Sequence, residues 1–178
     1  MDEVARAAGM SKRTLYRFFP SKAALFEATI SDALIPLQLD PALEREPDMG
    51  LALTGMLEAA GRHILALRPT GILRLVIAEV QRTPELAETF HRVLMTRGAN
   101  ALQRLIGREM SRGRLHPGDP EATARMLYGM AFGATQMRLL LGVRPIPARE
   151  EIAAVARQAV AVFLNGAGSA GGRAHSPA

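Results

Sequence analysis

Apolar residues recur along most of this chain at intervals of three and four, the spacing of a helix that buries one face. No stretch alternates with the period of two that a half-buried strand needs, and aromatic residues are scarce. Breakers divide the pattern: Gly9, Pro20, a proline-rich stretch from Pro36 to Pro47, Pro69, Pro84, the segment from Gly113 to Pro120, and Pro145 with Pro147. The intervals between them predict eight helices, over residues 2–8, 12–18, 22–35, 49–67, 71–82, 84–112, 120–141 and 148–164. Ser11, Ser21, Thr83 and Asp119 stand where a side-chain oxygen can accept from free N–H groups at a helix start. Pro84 and Pro120 directly follow two of these caps, where a missing N–H costs nothing. The expectation is an all-α chain: a head over 1–36, a linker over 37–48, a helical body over 49–165 and a disordered Gly/Ala/Ser/Pro tail over 166–178.

Composition changes this picture only at the edges. The 178 residues suit one medium domain, or a small head on a larger body, and 48% apolar content can fill a core. No apolar run reaches the ~18 residues of a membrane span, and no basic-then-apolar export signal opens the chain. Without cysteine there are no disulfides, thiolate catalysis or cysteine metal sites, which is compatible with the cytoplasm. The net charge of +5 favours phosphate-bearing partners. Only Lys12 and Lys22 among the 22 basic residues are lysine, a skew that a GC-rich genome produces by itself, so the placement of charge matters more than its total.

The most informative placement lies between Val4 and Phe26. Gly9 can adopt the positive φ that ends the first helix, Met10 fills the angle of the turn, and Ser11 caps the second helix. Val4, Ala5 and Ala8 give the first helix an apolar face, and Leu15 and Phe19 give the second an inward stripe. The other face of the second helix presents Lys12, Arg13, Thr14, Tyr16 and Arg17. From Met10 to Phe26 there are four basic residues and no acidic one. Such a helix fits a DNA major groove: arginine pairs bidentately with guanine, threonine meets a thymine methyl or a phosphate, and tyrosine bonds a phosphate oxygen. Lys22 opens the next helix, whose free N–H groups also favour a phosphate. Read without further context, the same segment also fits an ordinary capped helix pair with a solvated basic face.

The segment Gly9-Met10-Ser11-Lys12-Arg13-Thr14-Leu15-Tyr16-Arg17-Phe18-Phe19, followed by Lys22-Ala23-Ala24-Leu25-Phe26, closely resembles the DNA-binding head of the TetR/AcrR family. The resemblance implies DNA contacts at Arg13, Thr14, Tyr16 and Lys22, with Lys12 and Arg17 as neighbours, and core roles for Leu15, Phe19, Leu25 and Phe26. In the family a further helix precedes this segment and packs over it, whereas Met1 here falls near the start of the second family helix. The expectation is therefore an incomplete head, from a start codon placed too late or from a fragment with impaired DNA binding, the former preferred. At about 25 cal/mol per Å², even ~200 Å² of apolar surface left wet would cost on the order of 5 kcal/mol.

After about Asp48 the pattern resembles the C-terminal, ligand-binding and dimerisation part of AefR-like members, chiefly over residues 73–90. The last two predicted helices are rich in small residues, such as Gly129, Gly133, Ala154 and Ala161, and two of them from each of two subunits could form a four-helix homodimer interface. Met126, Met130 and Met137 share a helix face, with Phe90, Leu94 and Leu102 available opposite, which reads as plain core or as an adaptable apolar effector pocket. Glu79 shares a face with Ile72, Leu75 and Val76, where a carboxylate needs a partner such as Arg74, Arg125 or His63, or else a cationic ligand. The candidate ligand-binding residues are thus Glu79, Phe90, Met126, Met130 and Met137.

The expected function is a ligand-responsive regulator, a repressor that binds a palindromic operator on double-stranded DNA as a homodimer and senses a small apolar or amphiphilic effector. The alternative is a helical dimerisation or interaction module that cannot read DNA because its head is truncated. No catalytic, metal or cofactor site is expected. His63 and His91 read as helix-surface residues, His116 as a loop residue and His175 as part of the tail, with no metal spacing among them. Nor is there a nucleophile elbow or a phosphate-binding glycine loop.

Overall fold

The computed structural model describes residues 1–33, 40–97 and 100–167. Among them every regular element is a helix: α1 (Asp2–Ala7), α2 (Lys12–Phe18), α3 (Lys22–Ala33), α4 (Pro41–Arg45), α5 (Met49–Ile64), α6 (Leu67–Glu79), α7 (Pro84–Arg97), α8 (Asn100–Ser111), α9 (Pro120–Leu140) and α10 (Arg149–Ala167).

Starts and stops follow local chemistry. Ser11 accepts from the Thr14 N–H, Ser21 from Ala24, and Asp119 from Glu121. Thr83 contributes through its carbonyl, which accepts from the Leu86 N–H at 3.0 Å. Three glycines stop helices in the left-handed region: Gly9 at φ 65°, Gly113 at 70° and Gly142 at 72°. At each, the glycine N–H bonds three residues back and the next N–H bonds five residues back, which satisfies the last free carbonyls.

Several elements differ from the sequence expectation, and α6 also ends at Glu79 rather than at residue 82. The segment read as linker contains α4, started by Asp40, whose side chain accepts from the Ala42 N–H at 2.9 Å, with Pro41 in first position. That is the same Asp–Pro start as at Asp119–Pro120. Pro69 does not separate two helices; α6 begins at Leu67 and holds the proline in its first turn, where the ring costs no hydrogen bond. The single helix expected over 84–112 is described as α7 and α8 on either side of residues 98–99, which lie outside the described residues. Finally, α10 continues to Ala167, past the expected end at 164, and the rest of the expected disordered tail lies outside the described residues.

Contacts group the chain into two compact units. One comprises Leu37–Leu67 and Ala99–Ala178. Within it α5 packs extensively on α10, and α9 packs on both α8 and α10. Leu53, Leu57, Ile106, Leu127 and Phe132 are essentially inaccessible. Gly61 makes room for this packing: a Cβ there would sit 2.5 Å from Phe132 and 2.9 Å from Ile152. His63, expected on a helix surface, is half-buried on α5, and burial pushes its imidazole below the ordinary range.

The other unit comprises Met1–Pro36 and Arg68–Gly98. Here α3 packs on α7, and Ile30 is fully buried against Phe26, Ile72 and Phe90. Ion pairs Arg92–Glu27 and Arg68–Asp32, both 3.0 Å, border this contact. They are exposed and add little energy, but they favour one register. This unit joins the expected head to part of the expected body.

The buried charge of the first-described unit is Glu109, 1% exposed near the end of α8. Arg108 reaches its Oε1 at 3.3 Å, Arg112 at 3.5 Å, and Arg114 closes on Oε2. The turn at Gly113 makes this possible by folding Arg114 back, so that its own N–H bonds the Glu109 carbonyl at 2.9 Å. Burial pulls the carboxyl upward, but the hydrogen bonds from Arg114 and Arg108 outweigh it and hold Glu109 below its ordinary value of 4.5. Replacing Glu109 with alanine would leave the arginine fan uncompensated, and we expect a loss of about 3–5 kcal/mol in urea unfolding at neutral pH. A depressed folded pKa stabilises above pH 4.5 and ceases to do so as pH falls through the folded value. The Glu109→Gln variant should therefore lose less stability than wild type on acidification; an identical acid slope would refute the role assigned to the carboxylate.

Candidate nucleic-acid interface

The interface is built on α1, the turn at Gly9 and α2. Two bonds close the turn, Gly9 N–H to Arg6 at 3.1 Å and Met10 N–H to Ala5 at 3.0 Å, so the chain reverses direction within three residues. Ser11 then fixes the start of α2, accepting from the Thr14 N–H at 3.1 Å and sharing a hydroxyl contact of 2.8 Å with Thr14 Oγ1. Ala5 and Leu15, 4% and 3% exposed, bury the facing sides. Of the rest of the expected apolar face of α1, Val4 is 42% exposed and Ala8 is exposed too.

At about 100° per residue, Lys12, Tyr16, Arg13 and Arg17 follow one another around roughly 140° of the helix, on the side away from Leu15. All four are exposed. Lys12 pairs with Asp2 at 2.9 Å, which raises the lysine and lowers the aspartate from their ordinary values. Both side chains are exposed, so the pair is weakly held and the lysine is free to exchange its partner for a phosphate. Arg17 lies 5.4 Å from the Phe18 ring centroid, a cation–π contact that steadies the guanidinium. Thr14 is half-buried and turned toward Ser11. Lys22 is exposed in the first turn of α3, next to the Ser21 cap. Lys12, Arg13, Tyr16 and Arg17 thus form one arc, Lys22 stands at the following helix start, and Thr14 belongs to the cap.

The five candidate ligand residues do not form one set. Glu79 and Phe90 lie in the unit that contains the head, and the three methionines lie in the other. Glu79 is partly exposed and its ion partner is Arg82, at 3.9 Å, rather than Arg74, Arg125 or His63. Phe90 packs on Ile30. Met126, Met130 and Met137 share a face of α9 as the spacing requires, but within their unit that face is exposed, by 66%, 49% and 57%. Leu102 is buried in the core of the same unit, and the Leu94 side chain lies outside the described residues. Sequence reasoning missed the Ile30 contact. Phe26 and Ile30 four apart signal a buried stripe, but nothing local names Ile72 and Phe90 as its partners. Among the described residues no cluster of His, Asp and Glu could hold a metal ion, and no helix is long and apolar enough to cross a membrane.

Residues 1–29 match the family described as bacterial regulatory proteins, tetR family, and residues 52–166 match AefR-like transcriptional repressor, C-terminal domain. Among solved structures, a TetR-family transcriptional regulator from Mesorhizobium loti MAFF303099 superposes with a TM-score of 0.79 at 24% identity, over 94% of this chain and 86% of that one. The flavonoid-responsive regulator FrrA gives a TM-score of 0.68 at 26% identity, over 96% and 87%. A TetR transcriptional regulator from Agrobacterium tumefaciens gives 0.66 at 25%, over 93% and 82%. Comparison with curated proteins gave no match. A capped helix–turn–helix with a cationic arc, followed by an AefR-like helical body, is the arrangement of a TetR-family transcriptional regulator, and this chain belongs to that family.

Proposed function

We propose that the protein is a cytoplasmic, effector-responsive repressor that binds a palindromic operator as a homodimer. The observation that carries this reading is the arc of Lys12, Tyr16, Arg13 and Arg17 on a short helix whose start is fixed by Ser11 and whose underside is fixed by Leu15. In the major groove Arg13 reads guanine, Tyr16 and Lys22 hold phosphates, and Lys12 and Arg17 flank them. Thr14 contributes chiefly by holding the cap.

A reader of this kind needs two recognition helices spaced to match two half-sites. The exposed face of α9 supports a subunit contact. Met126, Met130 and Met137 stand out from it, and a Cβ at Gly129 or Gly133 would meet nothing within 4 Å. On α10 Val162 is 56% exposed. Two such helices from each subunit would close a four-helix contact, with methionine adapting to the opposing surface. This places the three methionines at the subunit contact rather than around an effector.

Effector response then runs through α6 and α7. Phe90 and Ile72 bear directly on Ile30 of α3, the helix that follows the reading helix. A ligand that binds better to one setting of α6 and α7, near Glu79 and Phe90, shifts the population of head positions. FrrA is named as flavonoid-responsive, which supports a small apolar or amphiphilic organic molecule as the class sensed here.

Selection of binding sites from randomised duplex DNA should recover a palindrome. Against that palindrome, Arg13→Ala and Tyr16→Ala should each weaken binding by about tenfold or more, the cost of ~1–3 kcal/mol per lost specific contact, measured by fluorescence anisotropy at fixed salt. Binding that shows no preference for any sequence, with a dimer still present, would replace this reading with that of a helical interaction module. For the subunit contact, sedimentation should show Met130→Glu dissociating at concentrations at least about a hundredfold higher than wild type, because two unpaired charges would meet at the contact. An unchanged dimer in that variant would remove α9 from the interface.

A further inference from the structure

The unit that contains α8 carries a cleft of about 410 Å³, lined by none of the residues assigned above to DNA reading or to the subunit contact. One wall runs from Glu44 to Pro47, at the end of α4 and beyond it. The other is formed by Arg108, Arg112 and Arg114, at the end of α8 and after it. Four of the seven lining residues are arginine, and Pro47 is the one apolar residue among them.

The carboxylates around the cleft are largely engaged. Glu44 pairs with Arg104 at 2.6 Å, outside the cleft, and its carbonyl accepts from Arg108 at 3.1 Å. Glu46 accepts from the Asp48 N–H at 3.1 Å. Glu109 lies beneath the arginines, buried, and orients Arg108, Arg112 and Arg114. Each guanidinium has five N–H donors, and the bonds to Glu109 use only a minority of them. Arg45 adds a fourth guanidinium from a different helix, exposed and without a partner among the described residues. Arginines at the end of α8 would in any case complement its helix dipole. That does not account for Arg45, nor for the convergence of two chain segments on one polar hollow.

We propose that this cleft binds a small multivalent oxyanion, a molecule carrying two or more phosphate or carboxylate groups. Planar guanidiniums grip such groups bidentately, and a buried carboxylate that fixes three of them in advance lowers the ordering cost of binding. The volume suits a small molecule, and the nearly absent apolar wall separates this ligand from the apolar or amphiphilic effector proposed above. Glu109 acts here as a positioning residue and does not meet the ligand as a charge of favourable sign.

The probes are pyrophosphate and citrate, titrated into the full chain by calorimetry, with thermal melts in chloride of matched ionic strength. Saturable binding and a higher melting temperature in either anion are expected; pyrophosphate alone identifies phosphate chemistry, and both together identify oxyanions in general. Arg45→Gln and Arg112→Gln leave Arg108 and Arg114 on Glu109, so both variants should fold, and each should weaken binding by about tenfold or more, the loss of a charge-assisted hydrogen bond. Arg149→Gln, an exposed charge on α10, should leave binding unchanged. The proposal is overturned if neither anion saturates, or if Arg149→Gln weakens binding as much as Arg45→Gln. It is equally overturned if the anions do not bind while the cleft variants lose affinity for mixed-sequence duplex DNA, which would make the cleft a backbone contact.

Discussion

Ile30 is the point at which α3 meets α6 and α7. It is fully buried, and what buries it comes from two distant stretches of chain: Phe26 from its own helix, Ile72 and Phe90 from α6 and α7. The reading helix ends at Phe18, and only Phe19 and Pro20 separate it from the Ser21 cap of that same α3. A helix of seven residues is too short to hold its own position in water, so its orientation must be imposed by what it is tied to. Leu15 and Ala5 fix it against α1, and the chain passes directly from it into α3, which packs on α7. Under the proposed reading, a change at Ile72 or Phe90 reaches α3 through their contact with Ile30.

How much of this was legible in the sequence depended on the range of the interactions. The helix–turn–helix was legible almost residue by residue, because a positive-φ glycine, a serine cap and a four-residue apolar stripe are all local. The start of α4 is equally local, in Asp40–Pro41, but the surrounding prolines carry the pattern of a linker and mask it. Pro69 misled for the converse reason: a proline in a first turn and a proline between helices are the same letter, and only the turn that follows tells them apart. The methionine stripe shows the limit of periodicity. Spacing put Met126, Met130 and Met137 on one face of α9, but could not say whether that face looked into the unit or out of it. Contacts such as Arg92 with Glu27, or Glu109 with Arg114 beneath the cleft wall, needed three dimensions.

The charge distribution separates three uses of arginine that a net charge of +5 merges into one number. Arg13 and Arg17 stand exposed on the arc of α2, Arg17 over the Phe18 ring and neither in an ion pair among the described residues. Arg68, Arg92 and Arg104 answer exposed carboxylates across helices and set register more than stability. Arg108, Arg112 and Arg114 surround a buried carboxylate that could not stay ionised without them. Under the proposed reading, only the first use is directed at DNA.

The same separation applies to apolar surface. Leucine, isoleucine and phenylalanine fill the interior around Gly61, where shape is fixed and a single added methyl group would collide with Phe132. Met56 is buried with them, but Met126, Met130 and Met137 are placed outside, on α9, beside glycines with open space around them. A rigid interior can transmit a displacement; an adaptable exterior can stay closed while the displacement occurs. Under the proposed reading, this division lets one subunit shift its head without releasing its partner. The Ile30 contact and the methionine face of α9 belong to different compact units of the chain.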